Sequence, residues 1–159
     1  MIGVLVIAHA PLAAAMLACA HHVYGEDIPA VRAFDVAADS DVDAQVERVL
    51  QAAAAVDTGS GVLILVDLFG ATPGNIAARV AKPGRIEVVA GLNLSMLLKV
   101  LCYRESLSLS VMTEKAVAGG VSGIMKIAST PPQDQQRIPS DPRDGGGSTH
   151  GDARLQDQQ

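Results

Sequence analysis

The sequence has no tryptophan, two tyrosines, two phenylalanines and two cysteines, and nowhere does it carry a run of lysine or arginine. Each scarcity excludes something. With aromatic residues at 3% of the chain, the core must come from Val, Leu, Ile, Ala and Met, as in parallel sheets buried on both faces by helices. A net charge of -5 with no basic cluster leaves nothing to track a phosphate backbone, so nucleic-acid binding is not expected. Cys19 and Cys102 lack CxxC spacing and sit in apolar helical contexts, which reads as two buried structural thiols in a reducing compartment, with neither a disulfide nor a zinc site. GxGxxG, a Walker loop and GxSxG are also missing, which argues against dinucleotide binding, P-loop chemistry and serine hydrolysis.

No apolar run reaches membrane-spanning length. The opening MIGVLVIAHAPLAAAMLACA resembles the apolar stretch of an export signal, but no Lys or Arg precedes it, and His9 and Pro11 interrupt it. The better reading is a strand, Ile2 to Ala8, followed by a helix opening at Pro11. A cytoplasmic chain without membrane insertion is the expectation.

What is present is apolar material, 49% of 159 residues, enough for the core of one domain. It is distributed in strand-length runs separated by helical stretches. Ile2–Ala8, Ile28–Phe34, Gly61–Val66 and Ile86–Ala90 read as strands. Pro11–Tyr24, a helix capped by Ser40 with Asp41 and Asp43 in its first turn, Pro73–Ala81 and Asn93–Glu105 read as the helices between and after them. Such alternation predicts an α/β fold, an open, mostly parallel sheet of four strands flanked by helices. A further helix is expected over Val111–Ala118, a break at Gly119-Gly120, and a short fifth edge strand over Val121–Ile127. From residue 128 the chain turns to Pro, Gln, Asp, Gly and Ser, so 1–127 reads as the domain and 128–159 as a disordered polar tail.

In open parallel sheets, ligands bind where the strands end at their carboxyl side. Three residues stand there: His9 after the first strand, Asp67 after the third, and Thr72 a few residues on. If the first and third strands are neighbours, about 4.8 Å apart, imidazole and carboxylate can touch. A carboxylate bonded to one ring nitrogen fixes the tautomer and leaves the other nitrogen's lone pair free to attack. The segment LFGATPGN after Asp67 adds Thr72 as N-cap and Pro73 as first helical residue, so a helix start with unpaired N–H groups lies beside the histidine. A nucleophilic imidazole, an orienting carboxylate and an anion-binding helix start suit phosphoryl transfer through phosphohistidine, with no cofactor or metal. Each part alone has a plainer structural use, as turn cap or helix opening. His21 and His22, near Cys19, point about 100° apart on a helix and suit a solvated helix end better than a metal site. Met96, Leu97, Val100 and Leu101 read as core or dimer interface.

The segments IGVLVIAHAPLA, GVLILVDLFGATPGN and VVAGLNLSMLL resemble the mannose-type enzyme IIA domain of the bacterial phosphoenolpyruvate-dependent sugar phosphotransferase system (PTS), over roughly residues 1–127. The resemblance implies that the histidine phosphocarrier protein HPr phosphorylates His9, that Asp67 is its hydrogen-bond partner, and that Thr72 lies near the phosphate. It also implies a homodimer that exchanges an edge strand, here Val121–Ile127. Family members often carry Gly after the active histidine and Ser in place of Thr72; here Ala10 and Thr72 stand instead. The phosphate would pass to a IIB protein, or serve as a signal in a purely regulatory protein that transports no sugar. A rival reading is a receiver-like domain phosphorylated on Asp67, but receivers need an acidic pair after the first strand to hold magnesium, and here that position reads Ala8, His9, Ala10.

Overall fold

The computed structural model describes residues 1–25 and 28–127. The expected tail, 128–159, lies outside the described residues. Met1–Met125 form one compact unit. Its elements run β1 (Gly3–His9), α1 (Leu12–Tyr24), β2 (Val31–Val36), α2 (Val42–Val56), β3 (Val62–Val66), α3 (Thr72–Val80), β4 (Ile86–Ala90), α4 (Leu94–Tyr103) and α5 (Leu109–Ser122). All strand pairings in the sheet are parallel, in the order β2-β1-β3-β4. The α/β class, the four strands and the adjacency of the first and third strands are as expected from the sequence.

Both faces of the sheet are covered, and alternation along β1 divides the core. Ile2, Val4, Val6 and Ala8 are buried with residues of α1, α4 and α5, while Leu5 and Ile7 are buried with residues of α2 and α3. A strand apolar on both sides has no solvent face to offer, which is why β1 and β3 read as unbroken apolar runs. Met96, Leu97, Val100 and Leu101 are core residues of α4.

Several elements depart from expectation, each for a local reason. Pairing of β2 begins at Val31 rather than Ile28, because Pro29 has no N–H to donate and Ala30 turns the chain at a φ of 55°. The cap of α2 is Asp41, whose carboxylate accepts from Asp43 N at 3.0 Å, not Ser40. Gly119-Gly120 is no break: α5 runs through both, and added Cβ atoms would meet Lys99 Cβ at 2.9 Å and Met96 Cε at 2.7 Å, so the glycines let α5 lie close against α4. Val121–Ile127 is not a strand in this single chain. Val121 and Ser122 end α5 and 124–126 have no regular structure, because the helix that begins at Leu109 carries on through the glycine pair to Ser122. Cys19 and Cys102 are exposed free thiols, because the inward faces of their helices are taken by Ala13 and Ala20 in α1 and by Val100 and Leu101 in α4.

Candidate functional site

His9 is the last residue of β1, held between two neighbours. On one side it pairs in register with Val36 of β2, and Ala10 N donates to Val36 O at 3.0 Å. On the other side stands Asp67, the residue after β3. Its Oδ2 accepts from the His9 backbone N at 3.0 Å and lies 2.7 Å from His9 Nδ1, while Oδ1 accepts from Leu68 N at 2.8 Å. One carboxylate therefore fixes both the backbone and the ring of the histidine.

The electrostatics follow from this geometry. The Asp67 side chain is 11% exposed and that of His9 50%. Partial burial pushes the Asp67 carboxyl upward, but hydrogen bonds from the His9 backbone, the His9 ring and Leu68 N, together with attraction to the imidazole, outweigh it and hold the group below the usual carboxylate range. An ionised Asp67 accepts from Nδ1–H. The lone pair then belongs to Nε2, on a half-exposed ring.

Thr72 is where the sequence places a helix start, with one correction. Ala71 is the N-cap, with no side-chain cap hydrogen bond; Thr72 is the first helical residue and Pro73 the second. The reason lies in the backbone, since Ala71 already has extended angles and its carbonyl accepts from Asn75 N at 2.9 Å. Thr72 is exposed, and no hydrogen bond joins its hydroxyl to His9 or Asp67 among the described residues. The site thus brings His9 and Asp67 together and leaves Thr72 at the start of α3. The connecting loop is shaped by Gly70, at a φ of 79°, and by Gly74, where an added Cβ would stand 2.9 Å from Leu68 O.

Sequence reasoning missed Asp35. This residue sits in β2 opposite Ala8, and its carboxylate accepts from Ala13 N at 2.8 Å and from Ala14 N at 3.4 Å. It thereby caps α1 from another strand, a role that short-range spacing does not reveal. His21 and His22 lie in the last turn of α1, and no group of three metal-ligating side chains occurs among the described residues.

Comparison with known proteins gives a consistent family. Residues 3–117 match the family model EIIA-man, described as PTS system fructose IIA component. The chain is 35% identical over 112 residues to the PTS system fructose-specific EIIA component of Bacillus subtilis, covering 69% of this chain and 75% of that protein. It is 30% identical over 132 residues to the PTS system mannose-specific EIIAB component of Escherichia coli, covering 82% of this chain but 41% of that longer protein. Among solved structures, the EIIA component of Streptococcus agalactiae superposes with a TM-score of 0.73 at 22% identity, over 82% of this chain and all of that one (100%).

Proposed function

This chain belongs to the mannose-type enzyme IIA family of the PTS, and we propose that within that phosphotransferase machinery it carries phosphate on His9 Nε2. The observation that carries the proposal is the 2.7 Å contact between Nδ1 and Asp67 on a half-exposed ring. The Nε2 lone pair attacks the phosphorus of a phosphohistidine on HPr, the bond from phosphorus to the donor nitrogen breaks, and its electron pair stays on the donor. The proton on Nδ1 remains in place, shared with Asp67, whose charge offsets the positive charge gained by the ring. Thr72 and the start of α3 supply donors to the phosphate oxygens, since the first N–H groups of a helix have no carbonyl of their own helix to bond. The acceptor is a IIB protein or, in a regulatory relay, a partner that reads the added charge of about -1.5 to -2.

The rival site, Asp67 itself, is disfavoured by the same contacts. Both of its oxygens are already hydrogen-bonded, and phosphorylation would cost it those bonds and release the histidine. A cytoplasmic homodimer exchanging Val121–Ile127 belongs to the same proposal. Val121, Ile124 and Met125 are exposed apolar residues that such an exchange would bury.

Incubation with phosphoenolpyruvate, enzyme I and HPr, followed by mass spectrometry, tests the carrier. Acid-labile, alkali-stable phosphate lost in His9→Ala is the expected result, and adding a IIB protein distinguishes transfer from signalling. Phosphate on Asp67, or none, overturns the reading.

A further inference from the structure

The strand order makes β2 one edge of the sheet. Val4 N donates to Ala30 O at 3.0 Å and Ala10 N to Val36 O at 3.0 Å, so the even-numbered residues of β2 bond to β1. Val31, Ala33 and Asp35 therefore turn their N–H and C=O groups outward, and no backbone group of the described residues bonds to them. Edge strands are commonly guarded by proline, lysine or a covering loop. β2 contains neither proline nor lysine, and the Asp35 carboxylate is committed to α1 through Ala13 N. Its other charged side chain, Arg32, is exposed and makes no ion pair among the described residues.

The helix beside this edge is equally unguarded. None of the thirteen residues of α1 is Asp, Glu, Lys or Arg. Ala13 and Ala20 face the core, and Tyr24 leans to α4, where its hydroxyl donates to Leu98 O at 2.9 Å. At about 100° per residue, Met16, Cys19 and Val23 fall on the opposite flank, away from α4 and along β2. Cys19 is exposed and Val23 is 55% exposed. Open backbone and apolar stripe form one continuous surface.

Register argues for a second copy as the occupant. Antiparallel pairing about a two-fold axis at Ala33 sets Ala33 against Ala33 and Val31 against Asp35, so every outward N–H and C=O of β2 finds a partner. On the α2 side of the sheet, the same register sets Arg32 of one copy across from Phe34 of the other. Phe34 is half-buried, and its ring already draws the Arg48 guanidinium to 5.4 Å from its centre. Moving the axis to Arg32 brings two arginines face to face and leaves Asp35 without a partner in β2. Moving it to Phe34 does the same to Val31 and sets Arg32 against Val36.

We propose that this protein associates with itself through β2, edge to edge and antiparallel about Ala33, with the Met16, Cys19 and Val23 flanks of the two α1 helices packed over the seam. Two four-stranded sheets become one continuous sheet. The seam lies apart from the exchange of Val121–Ile127, since α5 packs against β4 at the other edge. It also leaves the phosphoryl site open. β1 ends at His9 and runs parallel to β2, so antiparallel pairing sends the two His9 residues to opposite ends of the joined sheet.

Amide hydrogen exchange of the full chain, read residue by residue by NMR over about a hundredfold range of concentration, tests the pairing. The amides of Val31, Ala33 and Asp35 are expected to slow by about tenfold or more between the lowest and highest concentrations, while those of Arg32 and Phe34, bonded to β1, stay the same. Two variants accompany the wild type. Ala33→Pro removes the outward donor, twice by symmetry, and spares the bonds to β1, whereas Val23→Glu places a charge on the α1 flank. Each should weaken association by about tenfold or more in sedimentation. Unchanged circular dichroism and a protected Arg32 amide verify the fold of each. Met125→Asp, outside the seam, leaves the exchange of the β2 amides as in wild type. Exchange of the three outward amides that is the same at every concentration, or both variants sedimenting as wild type, overturns the proposal. Protection that arises only when a different protein is added assigns the edge to another strand and equally overturns self-pairing.

Discussion

Two helices begin beside His9, and their starts are built differently. At α1, the Asp35 carboxylate from β2 fills the first turn, accepting from Ala13 N and Ala14 N. At α3, Ala71 is the cap and offers no side-chain acceptor. Both helix starts carry the positive end of a dipole, but α1 has its anion supplied from within the fold and α3 does not. On the carrier reading proposed above, the difference indicates where a phosphate on His9 would find its donors. A helix start already neutralised by a carboxylate repels a second anion, whereas an uncapped one remains attractive.

Substitutions can break this contrast. The largest effect is expected at the carboxylate between the two starts: Asp67→Asn keeps the shape but no longer enforces Nδ1–H, and phosphoryl transfer from HPr should fall by about 10³-fold or more in rapid-quench assays, with the fold retained by circular dichroism. Ala71→Asp makes α3 resemble α1 by giving it a capping carboxylate. Transfer should drop about a hundredfold while stability in urea rises by about 1 kcal/mol, a pairing of gain and loss that ordinary damage does not produce. Thr72→Ala removes one donor to the phosphate and should slow transfer about tenfold, with Thr72→Ser close to wild type. Asp35→Ala opens α1 instead, and should cost about 1–2 kcal/mol of stability in urea titration while changing transfer by about threefold or less.

The smallest expected effect is in pH dependence. The Asp67 carboxyl is held below the usual range in the folded protein, so its contribution to stability is complete at neutral pH and shrinks as pH falls below about 5 and through the lowered folded value. The stability gap between wild type and Asp67→Asn, followed by urea titration at successive pH values, should narrow on acidification. A gap that stays constant through that window contradicts the assigned hydrogen bonding.

Much of this site was legible in the residues because it depends on strand ends. His9 and Asp67 each close an apolar run too long and too uniform to be anything but a buried strand, and adjacency of those strands brings them together. Helix caps were less legible. Ser40 gave way to Asp41 and Thr72 to Ala71, since a cap is decided by the backbone angles of one residue, and neighbouring side chains of similar chemistry compete for it. Asp35 was invisible for a different reason: it caps a helix that precedes it by more than twenty residues, so the pair exists only in three dimensions. The glycine pair in α5 misled because glycine reads as a breaker in sequence, while here it answers the approach of α4.

The proposed role of Asp67 is to hold Nδ1 and leave Nε2 to carry the phosphate. NMR of the phosphorylated protein, with the ring nitrogens of His9 labelled with nitrogen-15 and the phosphate read by phosphorus-31, tests it most directly. The expected result is phosphate on Nε2 with a protonated Nδ1 hydrogen-bonded to Asp67. Phosphate on Nδ1 of His9, or an acyl phosphate on Asp67, would contradict it.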